Sequence, residues 1–264
     1  MSGTRRPHRM PGGTAALYAG IAMLSALLAL ALVWFSMRGV YSAPAGYQAA
    51  SEVTDRLQGK QMGSGTEAAD TDDAAYPEID WAYWQGVNPD VVAWITIPNT
   101  PVDFPVAYAP KKCPDYYLEH DVYGNFNYFG CIFADPVCPD GLDSRNFILY
   151  GHNMSWDDSM FGPLEQYVNR AFAEGYRTVL VQTPEYRRAY SVCAVTVVNG
   201  ATEEKHVSFA EDATFRRWWR GAYEAADLQL QATPPSAERV LTLCTCSYYE
   251  WDNERTLVYA IPQQ

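Results

Sequence analysis

The sequence predicts a mostly β domain, folded as a closed or nearly closed barrel and preceded by an N-terminal transmembrane helix. Short apolar runs bounded by turn residues recur at 91–97, 147–150, 178–182, 188–198, 240–246 and 256–261. Six or more short strands with few helices are typical of a barrel. In addition, 24 consecutive uncharged residues at 14–37 are long enough, as a helix, to cross a hydrocarbon layer of about 30 Å.

Charge predicts how the apolar segment is oriented. Arg5, Arg6 and Arg9 precede it, whereas one arginine follows closely. The positive-inside rule therefore places residues 1–13 in the cytoplasm and the later residues outside the cell. A cleaved signal peptide is the alternative, but its apolar region would be shorter.

The first forty residues carry +4, which leaves −16 for the remainder of a chain with net charge −12. This acidity argues against a nucleic-acid partner, because phosphate binding requires clustered Lys and Arg.

Composition divides the rest of the chain into a stalk and a folded domain. Residues 38–76 are predicted to be a flexible stalk, because residues 59–75 are small, polar and acidic and cannot bury enough surface to offset backbone entropy. A short helix is expected within the stalk at 47–58. Aromatic residues become frequent from Tyr76 onwards, so residues 77–264 are predicted to form one folded domain.

Two helices and a hairpin are expected inside this domain. Apolar residues at helical spacing predict a helix over roughly 157–173 and another over roughly 208–228, just before the strand 240–246. The runs at 178–182 and 188–198 flank a short turn and predict a β-hairpin.

A cysteine and an arginine on consecutive strands form the first candidate for chemistry. Cys246 ends its strand, and Arg255 begins the next run nine residues later. If the strands pair around the intervening loop, the two side chains face each other. A strand-end thiol is accessible, and a nearby cation favours its thiolate form. Arginine keeps its charge and can bind an oxygen that becomes negative during acyl transfer. The alternative is a buried cysteine beside a solvated arginine.

His152 is the candidate acid and base. It closely follows the apolar run 147–150, again at a strand end. Of the other three histidines, His8 is predicted to be cytoplasmic, and His120 and His206 lie in polar segments. Beside a thiol, an imidazole supplies the proton donor and acceptor that nucleophilic catalysis needs.

These residues give the chain a resemblance to the sortase family. The order His152, Cys246, Arg255 is similar to that family, and so are the segments YGHNM (150–154), MFGPLEQY (160–167) and TLCTC (242–246). Four further segments resemble class B sortases in particular: NPDVVAWITIP (88–98), VDFPVAY (102–108), GCIFAD (130–135) and the helical insertion 208–228. The resemblance covers about residues 78–262. Ser247 after the cysteine and Ala93 before the tryptophan depart from the family pattern.

The resemblance implies a sortase-like closed β-barrel and a membrane-anchored, extracellular cysteine transpeptidase. Cys246 is expected to attack a Thr carbonyl in a C-terminal sorting motif of secreted proteins, of the Asn-Pro-x-Thr type. Arg255 is expected to stabilise the oxyanion, and His152 to act as acid and base. The acyl group of the resulting thioester would then be transferred to an amine of the cell-wall precursor or to a pilin lysine. Thr245 and Ser247 are expected to contact substrate, and no metal or organic cofactor is required.

Other functions and other roles for the cysteines remain open at this point. A pilin-polymerising enzyme, an extracellular cysteine peptidase or cell-wall hydrolase, and a non-catalytic binding module are the alternatives. Cysteine peptidases of that kind normally place Cys before His, the reverse of this chain. Cys131 and Cys138 lie close enough in sequence for a disulfide. Cys244 is expected to pack in the core, and a zinc site built from His152, Cys244 and Cys246 lacks the usual CxxC spacing.

Overall fold

The structure is a computed structural model that describes residues 12–38, 76–154, 159–201, 205–247 and 253–263. The chain divides into two compact units, 1–42 and 43–264. The predicted cytoplasmic segment 1–13 and the predicted stalk 38–76 lie almost wholly outside the described residues, as does the helix expected at 47–58.

The first unit contains one long helix, α1 (Gly12–Arg38). Large apolar side chains along it are exposed, with Leu24 at 72% and Leu28 at 64%. A helix therefore forms over the predicted anchor 14–37. None of the helices in the described residues, however, is long and apolar enough to cross a membrane, so the transmembrane part of the fold prediction is not supported.

The second unit is built on a closed β-barrel, as predicted. After helix α2 (Trp81–Val87), its strands are β1 (Val91–Thr96), β2 (Asp103–Tyr108), β3 (Ile132–Ala134), β4 (Asn146–Tyr150), β5 (Asn153–Met154), β6 (Ser159–Met160), β7 (Thr178–Gln182), β8 (Arg187–Asn199), β9 (Leu228–Gln229), β10 (Val240–Ser247) and β11 (Glu254–Pro262). The sheet runs in the order β11-β10-β4-β3-β2-β1-β7-β8-β9, and β8 also pairs with β11. Eight of the described strands thus close the barrel. β9 pairs with Ala194 and Val195 of β8, beyond the part of β8 that pairs with β7, and β5 and β6 form a separate small sheet.

The strands form where β-branched and aromatic residues are dense, and side chains on both faces of the sheet are buried. Trp94, Val106, Val181 and Val258, from four different strands, are each no more than 1% exposed. Residues of this kind fit a pleated surface buried on both faces. The predicted hairpin at 178–182 and 188–198 is confirmed by the antiparallel pairing of β7 with β8.

Strand β10 has a parallel neighbour on one side and an antiparallel one on the other. It pairs in parallel with β4 and antiparallel with β11. The carboxyl ends of β4 and β10 therefore lie at the same edge of the barrel as the amino end of β11. Whatever follows β4 in sequence is brought beside the last residues of β10.

One helix prediction is confirmed and the other is wrong. The predicted helix at 208–228 forms as α4 (Asp212–Glu224), which buries Phe215. The predicted continuous helix at 157–173 is replaced by β6, a 3₁₀ segment (Gly162–Val168) and the short helix α3 (Arg170–Gly175). The reason is local: Pro163 lies at the start of the 3₁₀ segment, and Asn169 begins a new helix by accepting the N–H of Ala171 at 2.9 Å.

Candidate active site

The three predicted catalytic side chains converge at one edge of the barrel. Cys246 and Arg255 are direct register partners in the β10–β11 pair. On the other side of β10, Tyr150 of β4 is the register partner of Cys244. The next residue of that segment, Gly151, continues the contact by donating its N–H to the carbonyl of Cys244 at 3.2 Å. His152 is therefore placed at the end of the cysteine strand.

These side chains share a pocket of about 200 Å³. Its walls include the three candidate residues together with Asp115, Leu118, Phe133, Asp135, Tyr150, Gly200, Lys205, Cys244 and Thr245. A thiol, an imidazole and a guanidinium in one small pocket are the groups that acyl transfer through a cysteine requires. Among the described residues, no group of three or more His, Cys, Asp or Glu is arranged to hold a metal ion.

All six cysteines are described, and accessibility distinguishes Cys246 from the four that are buried. Cys246 is half-buried in the pocket wall, whereas Cys244 is 1% exposed. Burial raises the pKa of the Cys138 thiol to about 11 and that of Cys193 to about 12, so both stay protonated and unreactive. Cys113 is exposed outside the barrel core. The thiol beside His152 and Arg255 is thus the one that the pocket makes accessible.

No disulfide joins Cys131 to Cys138. Both are buried as thiols, and each Sγ lies near a backbone carbonyl, that of Pro105 for Cys131 and that of Asn146 for Cys138, at 3.8 Å. The disulfide considered from the sequence is therefore not formed.

The orientation of His152 is set by a backbone carbonyl. Its Nε2 lies 2.7 Å from the carbonyl oxygen of Leu118. A carbonyl only accepts, so this nitrogen carries the proton and donates it to Leu118. In the neutral imidazole Nδ1 is consequently the basic nitrogen, and it is the one through which His152 can exchange a proton with substrate. The ring of Tyr128 lies parallel to the imidazole, with 6.4 Å between centroids.

Gly151 is required by close packing directly before His152. A Cβ added at this position would lie 2.3 Å from Cδ1 of Ile132 and 2.8 Å from ring atoms of Phe161. Its carbonyl accepts the hydroxyl of Thr245 at 2.9 Å. Gly151 therefore lets the segment after β4 pass close to the barrel wall, where Thr245 fixes it against the cysteine strand.

Arg255 is positioned by a second close backbone approach. A Cβ added at Gly200 would lie 3.1 Å from Cγ of Arg255 and 3.0 Å from Oδ1 of Asn253. The N–H of Gly200 donates to the carbonyl of Asn253 at 2.7 Å. The guanidinium itself donates to the carbonyl of Glu254 at 3.1 Å. The backbone at Gly200, directly after β8, thus packs closely against the side chain of Arg255.

The two residues predicted to contact substrate lie in different places. Thr245 reaches the pocket wall, but it is 1% exposed and its hydroxyl is used by the carbonyl of Gly151. Ser247 is fully buried and is absent from the described pocket wall. The alternation of side chains along β10 explains this, since both residues point away from the face that carries Cys246. The predicted substrate contact of Ser247 is therefore not supported.

Several pocket residues were not predicted from the sequence. The carbonyl of Leu118 leaves no side-chain signal, and Lys205 lies 70 residues from Asp135, with which it forms an ion pair. Asp135 ends the segment GCIFAD, which is the one sequence feature that could have drawn attention to it.

Known proteins are similar to this chain in sequence. The Sortase domain family model matches residues 95–263. Sortase B of Listeria monocytogenes is 28% identical over 162 residues, which span 61% of this chain and 65% of that protein, just under two thirds of its length. Sortase B of Staphylococcus aureus is 24% identical over 177 residues, 66% of this chain and 70% of that protein.

Solved structures agree with the fold. The crystal structure of Clostridium perfringens sortase B is 25% identical, has a TM-score of 0.63, and covers 69% of this chain and 99% of that chain. A Staphylococcus aureus sortase B–substrate complex, 20% identical with a TM-score of 0.65, covers 83% of this chain and 95% of that chain and shows the same fold. With a family model that matches well over half of its length, the chain belongs to the sortase family of cysteine transpeptidases, and the relatives that it resembles are class B sortases.

Proposed function

We propose that this chain cleaves a C-terminal sorting motif of secreted proteins through a thioester and transfers the protein to an amine of the cell wall. The observation that carries the proposal is the direct opposition of Cys246 and Arg255 across β10 and β11, with His152 in the same pocket. The range matched by the Sortase family model, 95–263, contains all three residues.

In the first half-reaction the Cys246 thiolate attacks the carbonyl carbon of the motif's Thr. A carbon–sulfur bond forms, and the carbonyl oxygen becomes an oxyanion beside the guanidinium of Arg255. Collapse of this intermediate breaks the peptide C–N bond. The leaving amine takes a proton from Nδ1 of His152, because Nε2 is held by Leu118. A thioester and a free amine remain.

In the second half-reaction an incoming amine resolves the thioester. His152, now neutral, accepts a proton from the amine at Nδ1 as the nitrogen attacks the thioester carbonyl. The carbon–sulfur bond breaks, an amide forms, and the Cys246 thiolate is regenerated. Water can replace the amine, in which case the same steps give hydrolysis.

The substrate class is inferred from the relatives. A Staphylococcus aureus sortase B has been solved as a substrate complex, and its fold matches this chain. We take a peptide of the Asn-Pro-x-Thr type as the substrate, and a wall-precursor amine as the acceptor; a pilin lysine is the other acceptor that the test distinguishes.

Location on the cell surface is part of the proposal and depends on the sequence. Residues 14–37 are uncharged, and Arg5, Arg6 and Arg9 precede them. Exposed apolar side chains such as Leu24 also favour burial in lipid. Protease added to intact protoplasts should digest the domain and leave an N-terminal membrane fragment; full protection would contradict an extracellular domain.

A fluorogenic Asn-Pro-x-Thr peptide tests the activity. Wild type should cleave it, and addition of an acceptor amine should divert product from hydrolysis to the amide. Mass spectrometry of the trapped enzyme should show an acyl adduct on Cys246. Cys246→Ala should lose both cleavage and adduct, whereas Cys244→Ala should retain cleavage.

Each outcome separates one alternative. Cleavage that no wall-type amine diverts, but that a lysine-bearing pilin peptide does, would indicate pilus assembly. Cleavage that no amine diverts would indicate a peptidase. Absence of cleavage in wild type, with binding of the peptide unchanged in Cys246→Ala, would indicate a binding module and refute the proposal.

A further inference from the structure

Lys205 and the buried Asp135 form part of the pocket wall, outside the strands β10 and β11 that carry Cys246 and Arg255. Nζ of Lys205 lies 2.7 Å from Oδ2 of Asp135. The aspartate side chain is 2% exposed, whereas that of the lysine is 46% exposed. Both residues line the same pocket as Cys246. The ammonium group is therefore bound by a buried carboxylate, while the lysine side chain remains partly exposed in the pocket wall.

The lysine is fixed by more than the ion pair. The second carboxylate oxygen of Asp135 accepts the N–H of Val137 at 3.0 Å, which holds the carboxylate in place. Nζ of Lys205 also lies 4.9 Å from the ring centroid of Tyr150, a cation–π contact. That ring stacks on Phe133 with 5.4 Å between centroids. A long, flexible side chain is thereby held in a defined position in the pocket.

The ammonium retains hydrogen-bonding capacity for a ligand. It has three N–H donors, and the buried carboxylate takes one of them. A cation in this position attracts carbonyl-type oxygens and repels protonated amines. Lys205 is therefore suited to the peptide that forms the thioester rather than to the amine that resolves it.

We propose that Lys205, held by Asp135, is a specificity-determining residue that donates a hydrogen bond to a side-chain carbonyl-type oxygen of the sorting peptide. The oxygen belongs to the carboxamide of Asn or to the carboxylate of Asp. The inference rests on the proposed function. In an Asn-Pro-Ala-Thr peptide the Asn carries the one side-chain oxygen of this kind, so it is the group that Lys205 binds.

A cycle that combines enzyme and peptide variants tests this pairing. Cleavage of peptides that begin with Asn, Asp or Ala is measured for wild type, Lys205→Met and Lys205→Arg. Loss of one hydrogen bond to a charged group should raise KM for the Asn peptide roughly tenfold in Lys205→Met, with kcat within about twofold. The Ala peptide should be equally poor with both enzymes, and Lys205→Arg should recover part of the loss. The Asp arm shows whether the carboxylate is also accepted.

Controls keep the outcomes apart. Arg217→Met removes an exposed charge on α4, outside the pocket, and should leave all three peptides unchanged. If Lys205→Met does not fold, Asp135→Asn combined with Lys205→Met removes the unpaired buried carboxylate and takes its place in the cycle. Equal losses for the Asn, Asp and Ala peptides, or a change confined to partitioning between water and amine, would overturn the inference. Failure of wild type to cleave any of the peptides would refute the proposed function instead.

Discussion

Substitution of Gly151 by alanine should impair catalysis through the position of His152. The added methyl group would lie 2.3 Å from Cδ1 of Ile132 and 2.8 Å from the ring of Phe161. To restore contacts of at least 3.4 Å, the isoleucine methyl or the backbone of Gly151 must move by more than an ångström. Overpacking of this kind typically costs about 1–3 kcal/mol of stability.

Catalysis should fall more than stability does, because His152 is the next residue. A misplacement of about 1 Å can cost roughly 10²-fold in rate. We therefore expect kcat/KM for the fluorogenic peptide to fall by about 10²-fold. Thermal unfolding should shift by the few degrees that correspond to about 1–3 kcal/mol.

A second-site change and a matched control make this test specific. Ile132→Val removes the Cδ1 atom that lies nearest to the added methyl group, so the double variant should regain part of the lost activity. Gly221→Ala in α4 meets no atom within 4 Å and should stabilise the helix by about 0.5–1 kcal/mol without altering activity. Wild-type kcat/KM and unfolding temperature in Gly151→Ala would refute the steric reasoning.

Three further changes examine the arginine and the thiols. Arg255→Lys keeps the charge but loses the planar guanidinium, and kcat/KM should fall about 10²–10³-fold; normal turnover would make the arginine structural. Gly200→Ala places a methyl group 3.1 Å from Cγ of Arg255 and should lower kcat/KM about tenfold with little change in unfolding temperature, whereas unchanged kinetics would show that the arginine accommodates it. With exposed Cys113 replaced by Ser, a thiol reagent should label Cys246 and leave buried Cys193, whose pKa is raised to about 12, unlabelled; peptide mapping that finds the reverse contradicts the assignment.

Local sequence was sufficient to predict that two of the three candidate catalytic residues, Cys246 and Arg255, lie together. Cys246 and Arg255 lie on adjacent strands joined by a short connection, so alternation along two strands predicts that they face each other, and the register confirms it. His152 is different, because it reaches β10 through the parallel pairing of β4, more than 80 residues earlier in the chain. No periodicity within β4 or β10 encodes that pairing, and the sequence linked the histidine to the cysteine through its strand-end position and chemistry, and then through the family resemblance.

The differences between prediction and structure also have physical causes. The apolar spacing in 157–173 suits a helix, but Pro163 and the capping residue Asn169 divide the segment into separate short elements. The substrate contact of Ser247 stays a prediction, and strand alternation turns its side chain into the core. The place of Lys205 in the pocket could not be predicted, because it depends on contacts with Asp135, just after β3, and with Tyr150 of β4, both distant in sequence.

Thr245→Val separates a role in positioning from a role in binding. The hydroxyl of Thr245 donates to the carbonyl of Gly151, the residue before His152. Valine has the same shape but no donor, so a buried carbonyl loses its partner, which typically costs about 1–3 kcal/mol. If Thr245 fixes His152, kcat should fall while KM for the peptide stays near the wild-type value. If it binds substrate, as the resemblance implied, KM should rise instead.

A neighbouring hydroxyl provides the control for that experiment. Ser247 is equally buried, and its Oγ has no hydrogen-bond partner among the described residues. Ser247→Ala should therefore change neither kcat nor KM. An equal fall of kcat in both variants would mean that any change in β10 disturbs the site, and the specific link from Thr245 through Gly151 to His152 would be refuted. A fall confined to Thr245→Val would show that the cysteine strand positions the histidine as well as carrying the nucleophile.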